Sequence, residues 1–323
     1  MNILKANLNI DFNRFRKHAA VFSVILLIAS GIEFALFGLN LGLDFTGGTL
    51  IEVRYEQDAD RDQVQAQLEQ AGFEKSVVQY FGTSKDLTIR LAPQEGEMTQ
   101  EQAKENNADK VGEQVLSVLR KGTDSKIEMR RTEFVGPAVG AELAEKGGLA
   151  MLVALIFILI YVSMRFEWKF ALGSVAALAH DIIITVGLFS MIGMEFNLTV
   201  LAAILAVIGY SLNDTIVVFD RIRENFLKLR KSDSEKIVNT SLNQTLARTI
   251  MTSITTMLVL LALFFLGGEL IHGFATALIS GVIVGTYSSI YVASNVALAL
   301  GITKEDLMPV EVEKEGADQD ALI

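Results

Sequence analysis

The chain has 323 residues, of which 51% are hydrophobic, with a mean hydropathy of +0.39, a formal net charge of −10 and no cysteine. So apolar a composition excludes an ordinary soluble globular protein. The missing cysteines exclude a disulfide framework, and the net acidity argues against a nucleic-acid partner.

Six apolar runs are each near the ~20 residues that a helix needs to cross hydrocarbon. They are expected at 19–39, 143–164, 170–191, 197–220, 248–267 and 273–300. Residues 1–18 form an N-terminal segment in which Arg14, Arg16 and Lys17 precede the first run. That run is too long for the core of a cleaved signal peptide, and no small-x-small site follows it. Lys and Arg then recur between runs two and three (Arg165, Lys169) and between four and five (Arg221, Arg223, Lys228, Arg230, Lys231, Lys236). The connections GMEFN and GGELIH carry neither. The positive-inside rule therefore puts both termini, a basic loop at 221–247 and an acidic tail at 301–323 in the cytoplasm. Segment 40–142 lies outside.

The external segment is long enough for a small domain. GGTLIEVRYE, SVVQYFG, DLTIRLAP and KIEMRRTEFVG read as strands, with a Gly-Thr-Ser-Lys turn between the second and third. DRDQVQAQLEQAGF has apolar Val64, Leu68 and Ala71 at helical spacing before Gly72, and ADKVGEQVLSVLRKG is a second amphipathic helix. The order βαββαβ is the ferredoxin-like, split βαβ arrangement. The polar stretch APQEGEMTQEQAKENN reads as a loop.

Two charges stand inside apolar runs: Asp214 in the fourth and Arg248 at the start of the fifth. On antiparallel neighbouring helices they lie at similar depth and are expected within reach of each other, directly or through a water, in at least one conformation. A charge within hydrocarbon faces a partner or a wet cavity and marks an ion or proton path. The competing readings are an arginine that snorkels to phosphates and a purely structural ion pair. His180 and Asp181 lie in the third run. Adjacent residues project about 100° apart on a helix, so Asp181 is expected to face the polar interior and His180 an interface or a second relay. Thr252, Ser253, Thr255 and Thr256 put hydroxyls around the fifth run. Gly42, Gly47 and Gly48 flank Asp44 where helix becomes strand; they serve a turn, a hinge, or both. Gly281 and Gly285 form a small-xxx-small pattern for close helix packing. The motifs GxSxG, HExxH and the P-loop lysine are absent, and His18, His180 and His272 are too scattered for a metal site. The chain is therefore not expected to be an enzyme or to hold a metal or cofactor.

GLDFTGGT at 42–49 and EFVGP at 133–137 resemble motifs of the SecD/SecF family of protein-export membrane proteins. AHD at 179–181, GYSLND at 209–214, DRIREN at 220–225, TLART at 245–249 and GTYSSIY at 285–291 match as well. The length and the single small external domain are similar to the SecF branch. The resemblance implies a polytopic fold that is half of a resistance-nodulation-division (RND) bundle, completed by SecD. It implies an inner-membrane location and a role beside the SecYEG channel, with YidC and YajC as further neighbours. It also implies that protons are the coupling ion and that the proton motive force promotes late-stage export of preproteins. It assigns proton transport to Asp214 and Arg248; Asp181, His180 and Asn213 are the secondary relay candidates that the residues themselves offer, as polar or ionisable groups within the spans. The alternatives are a non-transporting scaffold for the channel and a small-molecule efflux subunit.

Overall fold

The computed structural model describes residues 9–73, 76–92, 107–123, 125–229, 232–303 and 306. The polar segment expected as a loop after DLTIRLAP, and the acidic tail beyond 306, lie outside the described residues.

Among the described residues, six helices are long and apolar enough to span a membrane. Helix α1 runs Phe12–Phe37 and ends where Gly38 takes φ 67°. The others are α5 (Pro137–Arg165), α6 (Trp168–Ile192), α7 (Leu198–Lys228), α8 (Ser234–Leu266) and α9 (Glu269–Ser288). A π-helical turn, Ser289–Ala293, and α10 (Ser294–Ala299) continue α9. Helices α6 and α7 are the inner pair; α1, α5 and α8 leave most of their apolar surface outward. Phe170, Phe219, Phe226 and Leu178 fill one core toward the basic end, and Phe189, Val200 and Ile204 fill another at the opposite end.

The predicted loop at 221–247 is corrected to helix. Helix α7 continues to Lys228 and α8 begins at Ser234. The reason is amphipathicity: Ile222 and Phe226 pack with Ile237, Val238 and Leu242. Across the seam the Asn225 amide donates to Ser241 Oγ and Gln244 Oε1, both at 2.8 Å. Charged outer faces made the composition look like a loop.

Between α1 and α5 stands the α+β domain. Its strands are β2 (Gly48–Tyr55), β3 (Ser76–Phe81), β4 (Thr83–Leu91) and β5 (Ile127–Val135), after a two-residue β1 (Asn40–Leu41) and a four-residue helix α2 (Leu43–Thr46). Helices α3 (Arg61–Gln70) and α4 (Asn107–Lys121) complete βαββαβ. The sheet order β3-β4-β2-β5, antiparallel throughout, is the ferredoxin-like one. The expected four-residue turn is tighter: Gly82 alone, at φ 76°, reverses the chain, and Thr83–Lys85 already belong to β4. Ile51, Val53, Leu87 and Ile89 meet Leu68, Val115 and Leu119 of the helices in a closed core. The edge of β3 is covered by the Gln65 side chain, which receives the Val78 N–H at 3.0 Å and donates to Ser76 O at 2.8 Å. That occupies ladder groups open to strand addition.

Candidate functional site

The segment after α1 joins the external domain to the bundle. Strand β1 pairs in parallel with β6 (Glu195–Phe196), in the connection between α6 and α7. The Gly42 N–H donates to Phe196 O at 2.8 Å, and Leu198 N, in the first turn of α7, donates to Asp44 Oδ2 at 2.9 Å. Asn197 Oδ1 receives Val200 N at 3.1 Å, so α7 has two caps from different parts of the chain. A carboxylate there also complements the positive end of the helix dipole. Arg90 of β4 ties the joint from above, with Glu195 Oε2 and Asn40 Oδ1 each at 3.3 Å and a further bond to the Leu41 carbonyl. Burial pushes Glu195 above the ordinary carboxylate value, against the opposing pull of Arg90.

The glycines are required by this packing. Gly48 has φ 122°, and a Cβ there would stand 2.3 Å from Leu91 O. At Gly47, φ 66°, a Cβ would meet the Pro137 backbone at 2.8 Å, and at Gly42 it would meet Glu195 Oε1 at 2.7 Å. The motif is thus a crowded turn built on a short helix, held from both sides.

Gly281 and Gly285 face α7 of the same chain. Their Cβ positions fall 2.1 Å from Val207 Cγ2 and 3.0 Å from Ser211 Cβ. The small-residue pattern therefore brings α9 against the helix that carries Asp214.

Asp214 lies midway along α7 and is 3% exposed. It and Arg248 stand equally far, in residues, from the connecting turn between Lys228 and Ser234, as the antiparallel reading required. They make no ion pair within 4.0 Å, and Arg248 is exposed on α8. The hydroxyl of Thr252, one turn after Arg248, lies beside Asp214. It also donates to Thr249 O at 2.8 Å. Asp214 Oδ2 is buried without a partner among the described residues. A hydroxyl has one hydrogen and two lone pairs. Turned toward Thr249 it can accept from a protonated Asp214; turned back, it serves the ionised form. Asn213 is exposed, on one α7 face with Ala202, Ala206 and Gly209. Of the neighbouring α8 hydroxyls, Thr255 bonds back to Met251 O at 2.9 Å and Ser253 to Thr249 O at 2.8 Å, and Ser253 also reaches Thr286 on α9 at 2.7 Å.

His180 and Asp181 are both buried, at 2% and 1% exposure. The 100° offset does not separate them, because α1, α7 and α9 all pack on α6. Asp181 Oδ2 accepts from Ser211 Oγ at 2.5 Å and from Ser288 Oγ at 2.8 Å, and Oδ1 lies 3.0 Å from His180 Nδ1. The His180 ring stacks on Tyr287, whose hydroxyl donates to Ala19 O of α1 at 2.7 Å. Ser211, Tyr287 and Ser288 were not singled out by the sequence reading. Their signal was present: hydroxyls inside apolar runs, on the faces of α7 and α9 that the small residues bring together.

The family model for the SecD/SecF GG motif matches residues 34–59, which contain the joint. The model described as protein export membrane protein SecD/SecF, C-terminal, matches 102–303, which contain α5–α10. The chain is 54% identical over 320 residues to the protein translocase subunit SecF of Vibrio alginolyticus, covering 99% of each. It is 48% identical to that of Escherichia coli O157:H7, over 97% of this chain and 94% of the other. The crystal structure of SecDF from Thermus thermophilus, a translocon-associated membrane protein, superposes with a TM-score of 0.81 at 36% identity. That match covers 92% of this chain and 39% of the longer SecDF chain. A bundle of six spanning helices, a ferredoxin-like domain after the first, the glycine joint and these likenesses agree: the chain belongs to the SecD/SecF family of protein-export membrane proteins, in its SecF branch.

Proposed function

We propose that the chain is the proton-coupled SecF half of an export assembly, joined to a SecD counterpart in the inner membrane and acting beside SecYEG, with YidC and YajC as neighbours. Both termini face the cytoplasm and the α+β domain faces the periplasm. The assembly uses the proton motive force to draw preproteins outward late in export. The chain catalyses no covalent chemistry and needs no cofactor beyond the proton.

The observation that carries this reading is Asp214: a carboxylate in the middle of a spanning helix, buried, with one oxygen unpartnered and a rotatable Thr252 hydroxyl beside it. Intramembrane carboxylates of this kind are expensive to keep and are functional by default. Arg248, exposed and without an ion-pair partner among the described residues, is the counter-charge that a modest shift of α8 against α7 brings closer or takes away. Such a change of distance alternately favours and disfavours the ionised carboxylate.

The partner reading rests on the outward face of α7. Ala202, Ala206, Gly209 and Asn213 are exposed there, in the helix that is otherwise the innermost of the bundle, and Arg248 is exposed nearby on α8. Small residues admit a second helix closely, and a polar amide and a guanidinium are costly against lipid tails. A second six-helix protein packed on this face covers them, as in transporters built from repeats.

Purification from native membranes tests the assembly: the SecD counterpart is expected to accompany the chain, and a stable, monodisperse chain alone counts against the proposal. Asp214→Asn separates transport from scaffolding. Loss of export with intact assembly supports transport; loss of assembly supports a scaffold.

A further inference from the structure

The Asp181 cluster contains a second titratable site on the inner helices, and its geometry assigns a direction to its proton. Asp181 Oδ2 receives two hydroxyl donors, Ser211 from α7 at 2.5 Å and Ser288 from α9 at 2.8 Å. Taken as ionised, Asp181 has no hydrogen to give, and its other oxygen is an acceptor as well. The 3.0 Å contact from His180 Nδ1 to Asp181 Oδ1 is then an N–H donated by the imidazole. In the neutral ring, a protonated Nδ1 leaves Nε2 as a bare acceptor. Nε2 of His180 is buried and has no partner among the described residues.

We propose that His180 is a proton-accepting residue of the transport path, taking the proton at Nε2, with Asp181 behind it as the carboxylate that holds the ring and offsets the imidazolium charge. One proton enters and one leaves, and the pair alternates between a net charge of −1 and 0. Ser211 and Ser288 are positioning residues. Ser288 has a second acceptor, Gly285 O at 3.2 Å, and stands next to the π-helical turn at Ser289–Ala293. π-turns inside α-helices recur at functional sites. Its single hydrogen can serve Asp181 or the helix, so occupancy of the proton site is tied to the local winding of α9.

The groups facing the pair are few. From α9 they are Tyr287, stacked on His180, and Ser288. From α7 they are Ser211, with Asp214 one turn further on. From α1, Ser23 bonds the Tyr287 hydroxyl at 2.9 Å, and no charged side chain lies between His18 and Glu33. Helix α5 has none between Lys146 and Arg165, and α10 has none. Among the described residues no cationic side chain faces the pair.

The inference rests on the proposed proton coupling for its purpose, but its test does not. The chain has three histidines, so imidazole nitrogen resonances can be assigned by subtraction. The full chain with its partner, labelled with nitrogen-15 histidine, is placed in lipid vesicles and titrated between about pH 5 and 9, the range in which imidazoles change charge. The expected result is a titrating imidazole that disappears in His180→Gln. Its midpoint moves by about one pH unit or more in Asp181→Asn and by less in Ser288→Ala, and it persists in Asp214→Asn. Thermal unfolding of each variant reports whether it is folded; if Asp181→Asn is not, Ser211→Ala takes its place with the same expectation of a moved midpoint. A His180 resonance that stays in one neutral tautomer across the range overturns the proposal, as does a midpoint unmoved by the folded variants. If gradient-dependent export survives Asp214→Asn, the proposed function fails instead, and the titration result stands by itself.

Discussion

The carboxylate of Asp44 accepts the backbone N–H of Leu198 at 2.9 Å, so the turn that leaves the first spanning helix caps the start of the fourth. The external domain and the helix that bears Asp214 thus share a joint. Asp44→Ala removes one cap and leaves Asn197 as the other. The expected loss is about 1 kcal/mol, the usual cost of a lost helix cap, and Asp44→Asn keeps most of the stability. Thermal unfolding of the purified chain in detergent checks this; equal stability of the alanine variant would show the contact to be idle.

Gly281 and Val207 test the α7–α9 contact. With a Cβ only 2.1 Å from Val207 Cγ2, Gly281→Ala must push the helices apart, at about 1–3 kcal/mol for overpacking. Val207→Ala in the same chain frees the two nearest methyl groups and restores part of the loss. A double variant no better than Gly281→Ala alone would place the strain elsewhere.

The ferredoxin-like domain is expected to fold by itself when excised as residues 48–135. Its core draws on all four strands and both helices, and two helices on one face of a sheet make a complete layer pair. A single cooperative transition is the expected result; a fragment without one contradicts it.

Glu52 supplies a pH dependence within that domain. Burial raises its pKa above 4.5, Arg131 pulls it down from 3.7 Å, and Glu133 and Asp86 raise it further. The folded domain therefore holds this proton at a pH where the unfolded chain has lost it. Stability from this group is complete below pH 4.5 and is lost as pH rises through the folded value. Glu52→Gln lacks that loss. Wild type and variant should converge in acid and diverge toward neutrality, with the variant more stable, in denaturant titrations at a series of pH values. A gap that is the same at every pH would contradict the assignment.

The spans and the βαββαβ order were readable from sequence because each rests on a long, regular pattern: apolar runs of membrane length, and alternation closed by Gly72 and Gly82. Strand β1 and helix α2 were not, since two and four residues carry no period. Their pairing with Glu195–Phe196 joins segments far apart in the chain, which no local rule detects. The helical extension through 221–247 was masked by charge on its outer faces. Asp214 and Arg248 stood out as charges in apolar surroundings. The Asp181 cluster did not, because Ser211 and Ser288 are unremarkable singly and become donors only when Gly281 and Gly285 bring α9 onto α7. In this conformation Asp214 and Arg248 form no direct ion pair and Thr252 lies beside Asp214, since equal depth on two helices does not fix the rotation of either.

The most direct test of the account is late-stage export into vesicles that hold the complete assembly, measured with and without a proton gradient for wild type, Asp214→Asn and Arg248→Met. The account predicts that both variants assemble, keep the ATP-driven phase, and export with a gradient no faster than wild type does without one. Full gradient dependence in both variants would contradict it and leave the buried carboxylate with a structural role.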